Sequence, residues 1–321
     1  MRFARPVPAF DPVAITDRAA DLVAEQYLFP DVGERVAELL RSQRAEYSTV
    51  ATPESLAARV TTDLQSVNGD LHLRLKYSVD PLPDHVESDE AVWAALHAAQ
   101  AKEAMSGVRR VERRAGNVGL LELAPMLFPA PMAGPAIAAA FALLADVDAL
   151  VIDLRAMRGG DPGTVALICS YLLAEPTHLN SMRTRGDERE TQSWTLPWVP
   201  GRRLPDVPVW VVTGPETFSG GEELAYDLQQ LGRATIVGAP TGGGAHAREG
   251  FVLHPHLELT LPVVRAVNPV SGTNWEGVGV QPDVPADDAL ATAEGLARAA
   301  VAARDGTSPA LRRELAAGVS V

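Results

Sequence analysis

The chain has 321 residues, of which 46% are hydrophobic and 21% charged, and it carries a net charge of −13 at neutral pH. That length supplies a core without disulfides or a structural metal, and the composition excludes a disordered or fibrous protein. The negative charge repels phosphate backbones, so no nucleic-acid partner is expected. Of the 28 basic residues only Lys76 and Lys102 are lysines, which narrows any lysine chemistry. The single cysteine, Cys169, sits in an apolar run and reads as a core thiol. No histidine or second cysteine stands at ligand spacing, so neither a metal nor an organic cofactor is expected. Met1–Pro6 is not followed by the apolar stretch of a signal peptide. No apolar run approaches the roughly 18 residues of a membrane span, and a cytoplasmic protein with no membrane partner is expected.

Residues 12–66 carry helical periodicity in three stretches. Asp11-Pro12 and Thr52-Pro53 are start signals, and Pro30-Asp31 breaks the first stretch from the second. Asn68-Gly69-Asp70 is a turn, and residues 71–77 alternate as a half-buried strand does. Residues 1–78 are therefore expected to form a helical domain ending in a strand. Residues 79–117 read as a polar linker or flap with a helix near 89–105. From 118 to 321 strands alternate with helices, which predicts an α/β core with parallel pairing. Strands are expected at 118–123, 149–154, 207–213 and 234–238, and helices at 136–144, 164–173, 221–231 and after Asp287. Residues 176–205 form a Trp- and Arg-rich excursion, read as a hairpin, a loop or a lid.

Five segments carry candidate chemistry. In the segment 211–223 an apolar strand runs into Thr217-Phe218-Ser219-Gly220-Gly221-Glu222, and a helix follows. Unsatisfied N–H groups at a helix start favour negative charge. A serine there serves as an exposed nucleophile with the Gly220 N–H as oxyanion donor, or it merely caps the helix, with Glu222 closing a capping box. The lipase pattern is absent, because Thr217 stands where that pattern has glycine. The strand at 150–154 ends in Gly159-Gly160, and a strand ending at Gly238 leads into Thr241-Gly242-Gly243-Gly244-Ala245-His246. This last loop lacks the lysine of a phosphate-binding loop. The remaining segments are Asp70-Leu71-His72 and Asn274-Trp275-Glu276-Gly277-Val278-Gly279.

Taken together, in this order and spacing, the five segments resemble the C-terminal-processing, or tail-specific, serine peptidases. They are most similar to the branch that includes the modules of interphotoreceptor retinoid-binding protein and the tricorn-like cores. The resemblance spans roughly residues 15–290. It implies a crotonase-like (ClpP-like) ββα spiral core behind a small helical unit. It implies Ser219 as nucleophile, and Gly159 and Gly220 as oxyanion donors. Gly160, Gly243, His246 and Trp275 would lie on the substrate side. The lysine of the bacterial processing peptidases falls here at Gly244, so a serine–lysine dyad is absent. The tricorn-like pattern would make His72 the general base, with Glu276 in its supporting network and Glu222 aiding the geometry at the serine. His246 stays open as a rival base. Residues 78–117 are too short and polar for a PDZ domain, so none is expected. Two functions stay open. One is a serine-type peptidase or esterase acting on a peptide or small ester. The other is a binder of an apolar ligand such as a retinoid or fatty acid. Monomer and homo-oligomer both fit.

Overall fold

The computed structural model describes residues 9–82, 90–186, 190–304 and 314–315. Residues 1–8, where a signal peptide was not expected, and residues 83–89 of the polar segment lie outside the described residues, as does most of the tail after Arg304. The chain opens with α1 (Pro12–Gln26), α2 (Pro30–Ser42), α3 (Arg44–Tyr47) and α4 (Pro53–Gln65), then β1 (Arg74–Tyr77) and α5 (Glu90–Glu103). There follow β2 (Val108–Arg114), β3 (Val118–Leu123), α6 (Ala130–Leu143), β4 (Ala149–Asp153) and α7 (Pro162–Leu172). Next come β5 (His178–Thr184), β6 (Glu190–Trp194), β7 (Val209–Thr213), α8 (Gly220–Gln230) and β8 (Ala234–Gly238). The last elements are β9 (His246–His254), β10 (Leu257–Val267), β11 (Val284–Pro285) and α9 (Ala289–Ala302). Among the described residues no helix is long and apolar enough to cross a membrane.

The chain divides into two compact units. The first comprises Met1–Ala95, Met182–Glu190 and His246–Ala266. The second comprises Leu96–Ser181, Thr191–Ala245 and Val267–Val321.

In the first unit three helices begin with proline, whose missing N–H costs nothing in the first turn. Asp11 caps α1 by accepting from Val13 and Ala14 N–H at 3.0 and 3.1 Å. The helices bury Ala19, Val23, Val36, Leu40, Leu56, Val60 and Leu64 against Leu73, Leu75, Leu257, Leu259 and Leu261. Gly33 lets α2 approach α1, since a Cβ there would stand 2.8 Å from the Val23 carbonyl oxygen. β1 pairs antiparallel with β10, and β10 pairs antiparallel with β9. The full five-stranded sheet runs β1–β10–β5–β6 with β9 on β10. The excursion after residue 176 thus contains the strands β5 and β6.

The second unit is built on a six-stranded sheet in the order β11–β8–β7–β4–β3–β2. From β3 to β11 the neighbours are parallel. Every residue of β4 (ALVID) and of β7 (VWVVT) is buried, as expected of parallel strands covered on both faces. α9 covers one face, setting Ala289, Ala293, Ala297 and Val301 on Val118, Val151, Val212 and Val237. β2 lies in the segment expected to be linker. It pairs antiparallel with β3 at the end of the sheet and carries Arg109, Arg110, Glu112 and Arg113. Its charges suit an edge, and they masked the strand in the sequence.

Candidate active site

β7 ends at Thr213, and a tight turn leads to the start of α8 at Gly220. Ser219 is the last residue of that turn, at φ +50° and ψ −121°. A residue with a Cβ rarely adopts this conformation, which costs about 1–3 kcal/mol and persists only where the surroundings enforce it. Here they do. Thr217 Oγ1 donates to the Leu154 carbonyl at 2.9 Å and accepts the Gly214 N–H at 3.1 Å. The Phe218 N–H donates to the Met157 carbonyl at 3.0 Å. The Ser219 N–H donates to Glu222 Oε2 at 2.7 Å, and the Ser219 carbonyl accepts from Glu223 N–H at 2.9 Å. The threonine that departs from the lipase pattern therefore pins the turn.

The loop after β4 packs directly on this turn. A Cβ built on Gly159 would stand 3.0 Å from Ser219 Cβ and 3.4 Å from its Oγ. Gly160 has φ +132°, and a Cβ there would fall 2.1 Å from the Leu127 carbonyl oxygen. Leu127 brackets it, donating to the Gly159 carbonyl and accepting from Asp161 N–H, each at 2.8 Å. A Cβ on Gly220 would meet the Gly160 carbonyl oxygen at 2.8 Å. The backbones of Gly159, Gly160 and Gly220 thus crowd around Ser219.

Glu222 ties this turn to the glycine-rich loop. Fully buried, it accepts from Ser219 N–H, the Thr241 hydroxyl, Gly243 N–H at 2.6 Å and Gly244 N–H at 2.9 Å. Burial pushes its carboxyl above the usual range, and the four donors pull it back toward the ionised form. The 274–279 segment braces the same loop. Glu276 Oε2 accepts Ala245 N–H at 2.6 Å, and the Gly277 N–H donates to the Gly243 carbonyl at 2.9 Å. Trp275 is 2% exposed, donates its indole N–H to the Gly244 carbonyl at 3.0 Å and packs against Tyr226. Four of the five sequence segments, those at 153–160, 217–223, 241–246 and 274–283, are thus tied together by hydrogen bonds to backbone groups.

The histidines belong to the other unit. His72 follows a turn in which Asp70 Oδ1 accepts the His72 N–H at 2.9 Å. Asp70 Oδ2 accepts the Tyr27 hydroxyl at 2.8 Å and lies 3.8 Å from His246 Nδ1. Asn68 Nδ2 donates to the Tyr27 oxygen at 2.6 Å, and Phe29 meets the His246 ring edge-on at 5.4 Å. One buried carboxylate therefore bonds the His72 backbone N–H and lies beside the His246 ring. Burial lowers the His72 pKa to about 4, with Arg248, Arg74 and His246 adding to the effect and Asp70 opposing it. Burial pushes the Asp70 carboxyl up, but the bonds from His246, Tyr27 and His72 outweigh it, and the net shift is downward. His72 is thus neutral near pH 7.

Two residues stood in the quoted segments without a role assigned to them, Asp70 and Thr241. Asp70 holds the histidines, and its signal was an Asp two residues before His72, the spacing of a side-chain turn. Thr241 hydrogen-bonds Glu222 and accepts the Val280 N–H at 2.7 Å, with no signal beyond its place before the glycines. A buried acidic pair also lies one turn into α8. Asn180 Nδ2 reaches Glu223 at 3.2 Å and Asp227 at 3.0 Å, and Asn268 Nδ2 reaches Asp227 at 3.2 Å. Burial lifts Glu223 to about 7 and Asp227 well above its ordinary value.

Comparison with known proteins gives the family and the fold. A family model described as Peptidase family S41 matches residues 117–286. A second, described as the N-terminal domain of Peptidase_S41 in eukaryotic IRBP, matches residues 11–108. Among solved structures, a lipoprotein from Streptococcus agalactiae is 14% identical with a TM-score of 0.61, over 93% of this chain and 99% of that one. The photosystem II D1 C-terminal processing protease is 15% identical with a TM-score of 0.53, over 87% and 94%. The tricorn protease is 15% identical with a TM-score of 0.58, over 91% of this chain and 36% of that one. At these identities the likeness is one of fold.

Proposed function

The chain belongs to peptidase family S41, and on that premise we propose that it cleaves peptide bonds through an acyl-enzyme on Ser219. The observation that carries this reading is the strained backbone of Ser219, held by Glu222 while Gly159 stands against its Oγ. A helix cap needs no positive φ, whereas a nucleophile presented from a turn gains exposure by it. The parallel run β3–β4–β7–β8–β11 with α9 on one face supports a crotonase-like core.

In the proposed cycle, neutral His72 takes the Ser219 hydroxyl proton as Oγ bonds to the substrate carbonyl carbon. Negative charge moves to the carbonyl oxygen, and the Gly159 and Gly220 N–H groups donate to it. The C–N bond then breaks and His72 returns the proton to the leaving amine. Water, deprotonated by the same imidazole, hydrolyses the acyl-enzyme and restores Ser219. His72 is neutral at pH 7, so its ring is free of a proton there. Glu276 belongs to the network that supports the loop before His246.

The test is intact-mass spectrometry after treatment with a fluorophosphonate, on folded wild type, Ser219→Ala and His72→Ala. The expected result is one adduct on wild type, none on Ser219→Ala, and labelling slowed by about 10²-fold or more on His72→Ala. Adduct formation on Ser219→Ala at the wild-type rate, or none on folded wild type, would falsify the reading.

A further inference from the structure

Behind the first two turns of α8 lies a buried polar network that the proposed cycle does not use. Glu223 and Asp227 stand four residues apart on the helix, on one face, at 5% and 0% exposure. Asn180 on β5, also at 0%, bridges them. Its Nδ2 donates to Glu223 Oε1 at 3.2 Å and to the two Asp227 oxygens at 3.0 and 3.1 Å. Asn268, directly after β10, donates to Asp227 Oδ1 at 3.2 Å and to the Leu179 carbonyl at 3.1 Å. All four residues belong to the second unit, as does Ser219.

This network is short of donors and of positive charge. Two side-chain amides serve two carboxylates, and Asn268 also serves a carbonyl. Among the described residues no lysine, arginine or histidine lies within salt-bridge distance of Glu223 or Asp227. The other titratable groups facing the pair are Asp161 at the start of α7 and the Cys169 thiol within it, and neither supplies a positive charge. Asn180 Oδ1 is buried beside the pair with no hydrogen-bond partner. Rotation about Cβ–Cγ sets that oxygen against the carboxyls, where an O–H donor satisfies it and an ionised carboxylate does not. Like charges four residues apart repel on a helix surface, and in the interior the repulsion is stronger. One proton meets both shortages, because a carboxyl O–H donates and carries no charge. Burial raises both acids in the direction this requires.

The pair is tied to Ser219 through one helical turn. The Glu223 N–H donates to the Ser219 carbonyl at 2.9 Å, and the adjacent Glu222 holds the N–H groups of Ser219, Gly243 and Gly244. A shift of α8 against β5 therefore moves the turn that presents Ser219. From this arrangement we infer that Glu223 and Asp227 are positioning residues for Ser219, and that they seat α8 only while they share a proton. The inference rests on the reading of Ser219 as nucleophile. It places an alkaline limit on activity behind the site, away from the reacting atoms. When the last proton leaves for solvent, two charges face each other across one amide, and α8 eases away from β5.

The test compares wild type with Glu223→Gln and Asp227→Asn from neutral to mildly alkaline pH. Infrared spectra report protonated carboxyls, and the rate of fluorophosphonate labelling reports Ser219. Near-UV circular dichroism reports α8 through the contact of Tyr226 with Trp275, whose rings lie 5.1 Å apart. An amide at either position supplies permanently the donor that the proton supplies. We expect a carboxylic-acid band in wild type at neutral pH that weakens in both variants. As the pH rises, the wild-type band and dichroism change together and labelling slows by about tenfold, a loss of ~1.4 kcal/mol. His72, depressed to about 4, does not titrate in this range. Both variants keep the neutral-pH rate and lose the slowing. If neither variant folds, the wild-type spectra decide alone, and a missing acid band overturns the inference. A band that folded variants leave unchanged, a wild-type rate that stays flat, or equal slowing in the variants overturns it as well. If Ser219 takes no label at any pH while band and dichroism respond as expected, the proton-held seat of α8 stands and the nucleophile reading falls.

Discussion

The surroundings of Ser219 and those of His72 are built on different principles. Around Ser219 the backbone does the positioning. Glycines admit close approach, and N–H groups of the 219–244 region converge on one buried carboxylate. Around His72 the side chains do it. One aspartate accepts a tyrosine hydroxyl and a peptide N–H and lies 3.8 Å from one imidazole, in the turn before β1. The first arrangement tolerates no added atom. The second tolerates changes of shape but is sensitive to charge.

The strongest way to break this contrast is to change one residue on each side of it to alanine. Gly160→Ala forces a Cβ into the Leu127 backbone at a positive φ, so it should cost about 3 kcal/mol or more of stability and remove turnover. Arg248→Ala, at an exposed position on β9, should change stability by less than about 0.5 kcal/mol. Urea unfolding of the two variants checks both. A milder Gly160→Ala would mean that the loop after β4 gives way.

A smaller effect is expected from Glu222→Gln. The amide presents an NH₂ to N–H groups that now donate to oxygen, so the turn holding Ser219 loosens. The predicted outcome is a fall of about 10²-fold in kcat with KM nearly unchanged. A change confined to KM would move Glu222 from the serine to the substrate.

Per pH unit the effects of pH are smaller, and they have opposite signs in the two regions. His72 is depressed to about 4 in the folded state. Between pH 4 and 6.5 the unfolded chain therefore binds more protons there, and stability rises with pH. Glu223 is raised to about 7, so between its ordinary value and pH 7 the folded chain holds the extra proton and stability falls as pH rises. The groups facing His72 are Asp70, Arg74, Arg248 and His246, and those facing Glu223 are Asn180, Asp161 and Asp227. Urea midpoints across this range should lose a positive slope in His72→Gln and a negative slope in Glu223→Gln, each up to about 1.4 kcal/mol per pH unit. Unchanged slopes would mean that these groups titrate alike folded and unfolded.

The same contrast explains what could be read from the sequence. The proline-started helices, the buried runs of β4 and β7, and the turn at Ser219 announce themselves through local chemistry. The family followed from five segments whose order is local information repeated. Pairing of β1 with β10 joins residues more than half the chain apart, and nothing near Arg74 or Arg248 signals that they share a face. Asp70 as the common partner of two histidines was hidden for that reason. β2 was hidden because its arginines imitate a linker.

Those arginines have a consequence beyond pairing. A strand at the end of a sheet offers unmet N–H and carbonyl groups to any extended chain nearby. On β2 an incoming strand would have to strip water from Arg109, Arg110 and Arg113, which are all exposed. Pairing of one molecule's sheet with the next is opposed at that edge by the cost of dehydrating the three guanidinium groups.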